Sequence, residues 1–583
     1  MQTTTQRLAC AALMTLALAG CAGTSGVVER FADRSPDELL SQASQQQGSE
    51  AATTRVEAVE LLQRQGSSER ALEVADNINR SALDAPEQTR LAIATARAAA
   101  DLQDSAALLE ATSILERDIA IPTDARRELL ERRSQALSAD NRPFEAATTL
   151  IELQGITDDT GLNDNLWREL NRLEAGDLDT LSSQSPLAAG WVELARLQNN
   201  RGGSLGELSN AISRWQSNNP RHPASRRLPT DLSRLDELQS EEVRRIAVLL
   251  PSAGPLESIA TAIRTGLETR AETVRREGGS APTLAFIDSH EQELEALYAR
   301  ATMEGAQAVI GPLSKDQVSQ LETRQSVPLP TLALNYGTHE RNGANSLFQY
   351  GLSTEDEARQ AARRARDDGH RRAGILVPDN DWGARVLSAF QRAWQESGGE
   401  ISSVVNYSPS ASATSAVRSA LQDGRSRPDM LFLLALPAYA RQVPPTLDYY
   451  DAASLPVYAT SHAYEGSPQS RIDHDLDDVM FVDIPWSIPQ VASSNGALPF
   501  DETRRALMQN GGDRPDMLRL QAMGVDAFEL ARQLPIMNAI GNFRMQGATG
   551  DLAPRDDGRV VRTLPWAQFR GGEPAPLAAP TSL

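Results

Sequence analysis

The sequence contains few of the residues on which disulfide scaffolds, metal sites and lysine chemistry depend. Its 583 residues include two cysteines, six histidines and a single lysine, Lys315. Two cysteines are too few for a disulfide framework or for a cysteine-rich metal site. The Ser-x-x-Lys motif of penicillin-interacting enzymes is also excluded, because Pro312 stands three positions before the only lysine.

Other common catalytic motifs are absent as well. His290-Glu291 begins like the His-Glu-x-x-His helix of zinc proteases, but Leu294 occupies the position of the second histidine. His339-Glu340 fails in the same way, with Gly343 at that position. The one Gly-x-Ser-x-Gly sequence, at residues 202–206, follows a helical pattern instead of the strand that a nucleophile elbow requires, and no phosphate-binding loop occurs. We therefore expect a protein that is not an enzyme and that needs neither a cofactor nor a metal.

The sequence has fewer basic than acidic residues, and it contains no long apolar run. The 78 acidic residues outnumber the 57 basic ones and give a formal net charge of -21. This average field repels polyanions, so we expect no nucleic-acid partner. The apolar run from Leu8 to Leu18 is too short to cross a bilayer as a helix of the mature protein.

The first residues have the pattern of an export signal. Arg7 precedes the apolar run, which ends in Leu18-Ala19-Gly20-Cys21. This ending resembles the lipobox of bacterial lipoproteins, which implies removal of residues 1–20 and acylation of Cys21. The alternative is an ordinary secretory signal peptide in which the cysteine stands by chance. Ala22 is not the aspartate that favours inner-membrane retention, so the resemblance implies an outer-membrane anchor that faces the periplasm.

Helical patterns follow a short tether, which we assign to residues 21–34. Ser35-Pro36-Asp37-Glu38 is a capping box that predicts the start of a helix. Apolar residues then recur at helical spacing up to about residue 216, and strand-like alternation is nearly absent. Short helices of this kind predict an all-helical, TPR-like solenoid over residues 35–216, with an irregular helical bundle as the alternative. Prolines in a polar stretch predict a linker over residues 217–242.

From residue 243 onward the pattern changes to strands that alternate with helices. Ile246–Leu250 is a continuous apolar run closed by Pro251, as expected for a parallel strand that is buried on both faces. Similar strands recur at 284–287, 308–310, 331–335, 373–377, 401–407 and 430–436. The fold class is therefore α plus α/β, and we expect residues 243–583 to form two lobes with doubly wound parallel sheets.

Ligands of doubly wound sheets bind beyond the carboxyl ends of the strands. The loops at these positions carry hydroxyl groups, amides and glycines that could bind a polar ligand. The alternative is that these residues cap helices and close turns. The candidate residues are Ser252, Gly254, Ser289, Gly311, Ser314, Asn335, Asp381 and Trp382.

Several motifs of this half resemble a known family. They are Ile246–Leu256, Ala262–Gly266, Gly311–Leu313, Leu332–Asn335, Leu352–Ala358, Asp381–Gly383, Arg385–Leu387, Gly547–Gly550, Gly558–Arg562 and Trp566–Phe569, of which the last three read as a terminal hairpin. Together with the lipobox and the helical half, their order resembles the LppC family of lipoprotein activators of penicillin-binding proteins. In that family the second half has a type I periplasmic-binding-protein fold.

The resemblance implies a non-catalytic lipoprotein of the outer membrane. Its expected partner is a bifunctional class A penicillin-binding protein, which it would bind and stimulate from the periplasmic side, and peptidoglycan is a further candidate partner. One alternative is the substrate-binding receptor of an ABC importer of the branched-chain amino-acid type. Another is a scaffold without allosteric effect. The long helical half and Ala22 argue against the importer, which needs neither.

Overall fold

The computed structural model describes residues 34–173, 175–199, 205–235, 243–339, 342–422, 427–493, 498–511, 515–539 and 543–577. The predicted leader, Cys21 and the tether up to residue 33 lie outside these ranges. The chain divides into two compact units, Met1–Thr157 and Asp158–Leu583. Within the described ranges, no helix combines the length and the apolar character needed to cross a bilayer.

The described part of the first unit is built from helices. They are α1 (Pro36–Gln45), α2 (Gly48–Arg64), α3 (Ser68–Asp76), α4 (Ala85–Asp101), α5 (Ser105–Thr112), α6 (Thr123–Ala139) and α7 (Pro143–Thr157), with 3-10 turns at Arg80–Ala82 and Ser113–Glu116. The predicted capping box at Ser35 and Glu38 is confirmed, since both of its hydrogen bonds form. Each helix packs on the next, and α2 also contacts α4, which contacts α6. This stacking of successive hairpins is the predicted solenoid arrangement.

Arginine–glutamate pairs join the stacked helices α2, α4 and α6. Arg90 of α4 donates Nε and Nη2 to the Glu60 carboxylate of α2 at 2.8 and 2.6 Å. Arg97, two turns along α4, makes a second two-pronged contact with Glu128 of α6, with both distances 2.7 Å. The Arg97 hydrogen bonds lower the pKa of Glu128. Because these side chains remain partly solvated, we expect each pair to contribute modestly and mainly to fix helix register.

The second unit begins with further helices. They are α8 (Asn163–Leu170), α9 (Ala175–Ser182), α10 (Pro186–Asn199), α11 (Leu205–Asn218), α12 (Pro223–Arg226) and α13 (Thr230–Ser233), after a 3-10 turn at Thr160–Leu162. The Trp191 and Trp215 rings each contact the ring of His222, at centroid distances of 5.1 and 5.0 Å. The stretch assigned to a linker thus contains short helices with buried side chains such as Ala224 and Leu232.

The first lobe is a five-stranded sheet in the order β2-β1-β3-β4-β5, and every pairing in it is parallel. Its strands are β1 (Arg245–Leu250), β2 (Thr283–Asp288), β3 (Ala308–Ile310), β4 (Ser326–Ala333) and β5 (Asn345–Gln349). The connecting helices are α14 (Glu257–Arg276), α15 (Leu294–Met303) and α16 (Lys315–Glu322). The predicted βαβ repetition is confirmed here, with most boundaries within three residues.

The second lobe is a seven-stranded sheet in the order β15-β14-β10-β9-β8-β6-β7. Its parallel strands are β6 (Arg372–Pro378), β7 (Glu400–Tyr407), β8 (Met430–Leu433), β9 (Val457–Ala459) and β10 (Met480–Val482). Its helices are α17 (Thr354–Asp367), α18 (Asp381–Glu396), α19 (Ala413–Gln422), α20 (Pro437–Ala440), α21 (Val443–Tyr449), α22 (Ser470–Asp473) and α23 (Pro489–Ala492), with 3-10 turns at Ser461–Ala463 and His474–Leu476. Alternate residues of β6 and β8 belong to two separate apolar clusters, so both sheet faces are covered.

The chain then returns to the first lobe. The helices α24 (Asp501–Gly511) and α25 (Pro515–Arg532) pack on α14, and α26 (Leu534–Ala539) follows. A small antiparallel sheet comes next, formed by β11 (Met545–Gly547), β12 (Gly550–Pro554) and β13 (Val560–Thr563). The chain ends in β14 (Trp566–Arg570) and β15 (Glu573–Pro576), which join the second sheet antiparallel.

The predicted terminal hairpin is therefore divided between two sheets. Gly547–Gly550 forms the tight turn from β11 to β12, and Gly558 begins the return to β13. Trp566–Phe569 instead pairs with β10 of the large sheet. The second sheet is consequently mixed rather than wholly parallel. The glycines of these motifs indicated the positions of the turns. They contained no information about the strand with which each segment pairs.

Three connections join the lobes, namely β5 to α17, α23 to α24, and β13 to β14. The two lobes were expected from the strand pattern, and the three crossings between them are a finding of the structure. The compact-unit boundary at Thr157 lies ahead of α8, so the domain limits at residues 216 and 243 remain predictions.

Candidate functional site

Two of the predicted ligand loops meet at the carboxyl edge of the first sheet. Asp288, at the end of β2, accepts hydrogen bonds from the Ser252 backbone N–H at 2.9 Å and from its hydroxyl at 2.6 Å. The His290 N–H donates to the same carboxylate at 3.0 Å. The Ser252 hydroxyl is the main cause of a lowered pKa of Asp288. Gly254 has a φ of +83° and lies beside the His290 ring.

The loops that follow β3 and β4 are fixed by a glycine conformation and by side-chain hydrogen bonds. Gly311 has a φ of +98°, and a Cβ there would lie 2.3 Å from the Leu249 carbonyl oxygen, so only glycine fits. The Asn335 side-chain amide donates to the Leu313 carbonyl at 3.0 Å and its oxygen accepts the Tyr336 N–H. Ser314 is the N-cap residue of α16, although its side chain makes no capping hydrogen bond. The buried Ser289 donates its N–H to Leu250.

The remaining two candidates lie in the second lobe. Asp381 is the first residue of α18, behind the N-cap Asn380. The Trp382 ring packs 5.0 Å from the His462 ring, and its indole N–H lies 3.5 Å from the Thr354 hydroxyl. The described contacts thus place Trp382 with α17 and the loop after β9, while those of Ser252 and Asn335 stay within the first lobe. Whether the eight residues bind a ligand stays a prediction.

A buried polar group of residues lies where the chain crosses between the lobes. We call it the crossover cluster, and its members are Tyr350, Glu357, Ser461, Asp483, Arg519, Asp526, Thr549 and Arg562, all of them buried apart from a partly exposed Arg519. Three of these residues, Glu357, Thr549 and Arg562, fall within the sequence motifs that carried the family resemblance.

Glu357 of α17 is the centre of one half of the cluster. Its carboxylate accepts the Ser461 N–H at 3.0 Å and the Ser461 hydroxyl at 3.1 Å. The Arg562 guanidinium of β13 lies 3.6 Å from the same carboxylate and donates to the Thr549 carbonyl at 3.3 Å. Arg562 therefore connects the second lobe to the turn between β11 and β12.

Arg519 of α25 reaches from the first lobe into the second. It donates Nε to Asp483 at 2.9 Å and also contacts the same carboxylate through Nη2. The same Nη2 donates to the Ser461 and Tyr464 carbonyls, both at 3.1 Å. Since the Asp483 side chain is fully buried, this ion pair fixes the first lobe against the end of β10.

Asp526 lies two turns further along α25 and has no ion-pair partner among the described residues. Its carboxylate accepts the N–H groups of Ala548 and Thr549 at 2.7 and 2.8 Å and the Thr549 hydroxyl at 2.6 Å. The Tyr350 hydroxyl completes the set at 3.3 Å. Burial raises the pKa of Asp526 to about 6, against the opposing effect of these hydrogen bonds.

His462 and Trp382 border the crossover cluster. The Nδ1 of His462 lies 3.9 Å from the Glu357 carboxylate. Burial nevertheless lowers the pKa of His462, because the desolvation penalty on the imidazolium outweighs the attraction of Glu357. We therefore expect a neutral imidazole at neutral pH.

The crossover cluster has the chemistry of a structural junction between two bodies. Its carboxylates are occupied by hydrogen bonds or by arginines, and it contains no activated nucleophile. In the part of the chain that the structure describes, no three His, Cys, Asp or Glu side chains are grouped as they would be to hold a metal ion. The contacts of the cluster join the two lobes in the arrangement that the structure describes.

Because the pKa of the buried Asp526 is raised, we expect this residue to make the folded chain more stable in mild acid than at neutral pH. Its pKa is raised to about 6 in the folded chain from an ordinary value of 3.8. Between these two pKa values folding is accompanied by the uptake of one proton by Asp526. This proton uptake stabilises the folded state, and the stabilisation is lost as the pH rises through about 6. Relative to Asp526→Asn, we expect the wild-type chain to gain about 1 kcal/mol between pH 7 and pH 5. Urea unfolding at both pH values measures this difference, and an equal pH response of the two proteins would contradict it.

Sequence reasoning identified no residue of the crossover cluster as a functional residue. Glu357 and Arg562 lie 205 positions apart, and neither has a local pattern that indicates its partner. One indirect signal was available in the sequence. Glu357, Thr549 and Arg562 are polar residues within the family motifs, and a polar residue in such a motif often makes a specific contact.

The fold defines the class of the protein. Two doubly wound lobes with three crossings define a type I periplasmic-binding-protein-like domain, and the stacked helices that precede it in the sequence define a TPR-like region. The sequence model of the family described as "LppC putative lipoprotein" matches residues 29–572. The chain therefore belongs to the LppC family.

Relatives and solved structures agree with this assignment. The penicillin-binding protein activator LpoA of Yersinia pseudotuberculosis serotype O:1b is 27% identical over 526 residues, which cover 76% of this chain and 78% of the relative. LpoA of Haemophilus influenzae is 28% identical over 458 residues, covering 76% and 75%. Two crystal structures of LpoA from Haemophilus influenzae superpose with TM-scores of 0.57 and 0.53 at 23% identity, over 94% of this chain and 99% of theirs. These structures support the fold alone.

Proposed function

We propose that this chain is a non-catalytic regulator of peptidoglycan synthesis that binds and stimulates a bifunctional class A penicillin-binding protein. The observation that supports this most is the similarity to relatives named penicillin-binding protein activator LpoA, which extends over three quarters of both chains. The matched share of the chain is longer than the two lobes, so it includes at least part of the helical half. The importer alternative accounts only for the lobes.

The physical basis of stimulation is preferential binding. An activator shifts an enzyme toward its active state only if it binds that state more tightly than the idle one. A rigid surface binds more tightly than a mobile one of the same chemistry, because less ordering accompanies binding. The buried ion pairs between the two lobes and the paired stacked helices are consistent with such a surface.

A binding experiment tests the proposal. The chain from residue 22 to 583 is immobilised and exposed to a detergent-solubilised class A penicillin-binding protein from the same bacterium. We expect saturable binding, and no binding to a monofunctional transpeptidase that serves as the control. A chain that retains neither enzyme would contradict the proposal.

The importer alternative makes a different prediction. A receptor of that type would be stabilised by one free amino acid, because a ligand that binds only the folded state raises the melting temperature. We expect no such shift with any of the branched-chain amino acids at millimolar concentration. An increase of several degrees with one of them would instead support the importer.

We further propose that residues 1–20 are a lipoprotein signal peptide and that Cys21 carries the lipid that anchors the chain in the outer membrane. The two or more acyl chains of such an anchor bury enough methylene groups, at about 0.8 kcal/mol each, for lasting attachment. We place residues 21–34 as the tether, 35–216 as the helical domain, 217–242 as the linker and 243–583 as the two-lobed domain.

Replacing Cys21 by alanine tests the anchor. We expect the variant to leave the outer-membrane fraction and to appear in the soluble periplasmic fraction, because no acyl chain remains. Ala22→Ser, which leaves the acceptor cysteine intact, is the control and is expected to stay with the membrane. Fractionation followed by immunoblotting measures both. A Cys21→Ala protein that still sediments with outer membrane would contradict lipid anchoring.

A further inference from the structure

A narrow cavity lies between α4, the end of α5 and the two 3-10 turns of the first unit. The lining residues with polar groups are Arg80, Gln88, Thr95, Ser113 and Arg117, and the rest of the lining is apolar. The cavity has about 20 Å³ of free space for the centres of water-sized groups, within about 330 Å³ that include its open mouth. This is room for one or two such groups, so a narrow, unbranched chain fits and a ring does not.

The Thr95 hydroxyl in this cavity is a buried polar group without a partner. Thr95 is 5% exposed, and its Oγ1 has no hydrogen-bond partner among the described residues. Other helical threonines of the unit donate to a carbonyl one turn earlier, as Thr89 does to the Ala85 carbonyl at 2.8 Å. An unpaired buried hydroxyl costs free energy, so a ligand that accepts its hydrogen bond recovers part of that cost.

The mouth of the cavity is positively charged. Arg80 and Arg117 line it, and no acidic side chain of the described residues does. Arg80 contacts the exposed Glu110 through one nitrogen at 3.4 Å, so most of its N–H donors remain for a ligand. Glu116, next to Arg117, is paired with Arg133 instead. In a chain of net charge -21, two arginines without a lining carboxylate favour an anionic ligand.

The exposure of the lining residues gives the cavity a direction. Arg117 is exposed and Gln88 is half-buried, whereas Leu91, Thr95 and Ile114 are buried. Gln88 and Thr95 lie on the same face of α4, seven residues or about two turns apart. A carboxylate at the mouth and a hydrogen-bond acceptor at Thr95 must therefore be joined by a short apolar chain.

We propose that this cavity is a binding site for a short, unbranched carboxylate that carries a carbonyl group at its far end. Its carboxylate lies between Arg80 and Arg117. Its chain lies against Leu91 and Ile114, and its carbonyl oxygen accepts a hydrogen bond from Thr95. The proposal goes beyond the proposed function and does not depend on it. The site lies wholly within the first unit, apart from the loops of the two lobes that were predicted to bind a ligand.

A pair of ligands of nearly equal shape tests the site. Levulinate has the carboxylate, the chain and the carbonyl group, whereas pentanoate lacks only the carbonyl oxygen. Each is titrated at millimolar concentration into the chain from residue 22 to 583, and saturation-transfer NMR of the ligand signals gives its dissociation constant. We expect levulinate to bind about threefold to tenfold more tightly than pentanoate, since one neutral hydrogen bond contributes about that much.

Two variants identify the residues that bind the ligand. Thr95→Val keeps the shape of the side chain and removes its donor, so levulinate and pentanoate should bind equally. The folded chain should tolerate this change, because it removes an unpaired polar group. Arg117→Gln should weaken the binding of both carboxylates by about tenfold or more, because hydrogen bonds to a charged group are lost. Arg64→Gln, at an exposed position of α2 outside the cavity, is the control and should bind like the wild type.

Absence of levulinate binding to the wild-type chain, or equal binding of the two ligands, would overturn the proposal. A preference for levulinate that persists in Thr95→Val would do the same, as would an Arg117→Gln variant that binds as tightly as Arg64→Gln. These readouts involve neither a synthase nor a membrane, so failure of this site and failure of the proposed function are distinguishable.

Discussion

The Arg519→Met variant is expected to be less stable to unfolding than the wild type by about 3–5 kcal/mol. The guanidinium is the partner of the fully buried Asp483 carboxylate, which otherwise accepts, among the residues that the structure describes, only the Ile484 N–H at 2.7 Å. Methionine keeps much of the apolar stem but leaves Asp483 with an uncompensated charge. Two carbonyls, of Ser461 and Tyr464, also lose their donor. Urea unfolding of the two-lobed unit, followed by tryptophan fluorescence, measures the change.

A second replacement separates the lost charge balance from lost packing. In the double variant Arg519→Met, Asp483→Asn neither position of this ion pair carries a charge, and we expect at least half of the stability to return. Arg505→Met is the control, because Arg505 pairs with Asp501 at the surface, where both side chains are largely exposed. Equal losses in Arg519→Met and Arg505→Met would show that the buried pair does not hold the lobes.

The Gly266→Ala variant, which adds one methyl group between α14 and α25, is expected to lose a similar amount of stability to unfolding. A Cβ on Gly266 would lie 2.0 Å from the Gln521 carbonyl oxygen, and one on Gly524 would lie 2.1 Å from that of Ile263. The two helices therefore pack backbone against backbone, and Gly266→Ala must force them apart. We expect a loss of about 3 kcal/mol, in spite of the gain of up to about 1 kcal/mol that alanine brings within a helix.

Gly176→Ala in α9 is the matched control, since a Cβ at this position would have no atom within 4 Å and the backbone is helical. We expect this variant to be as stable as the wild type or slightly more stable. Thermal unfolding of the two single variants, side by side, provides the comparison. A Gly266→Ala protein that melts with the wild type would mean that α25 is not held against α14 in the way described.

The strands were predictable because their environment makes them recognisable. Ile246–Leu250 is buried on both faces of its sheet, so its apolar run is unbroken and bounded by Arg245 and Pro251. The same reasoning located β3 and β6 within one residue. The helices of the first unit were predictable for the complementary reason, since one side of each is solvated and the apolar spacing shows on the other.

The helix α25 illustrates what periodicity could not show. Residues 522–531 are all buried, and they include the charged side chains of Asp526 and Glu529. A helix that is enclosed on every side has no polar face, so the 3.6-residue pattern on which the prediction depends is absent. Its polar residues are satisfied by contacts such as Arg270–Glu529, which join positions 259 apart.

Some residues of the candidate sites could also be predicted from local sequence patterns, and others could not. The ligand-loop residues were located from the ends of predicted strands, and the structure places Ser252, Gly254, Ser289, Gly311 and Asn335 at the edge of the first sheet. The crossover cluster could not be located in this way, because its members come from the segment after β5, α17, the loops after β9 and β10, α25 and the small sheet. Only the closed fold brings Glu357, Ser461 and Arg562 together.

The central claim, that this chain acts on a synthase by contact and without chemistry of its own, is tested most directly by the cross-linking rate of a class A penicillin-binding protein. The chain from residue 22 to 583 is titrated into the enzyme with lipid-linked peptidoglycan precursor, and the cross-linked fraction of the product is measured over time. We expect the rate to rise and to saturate as the chain reaches a molar ratio near one, with no product formed by the chain alone. A rate that stays constant across the titration would contradict the account.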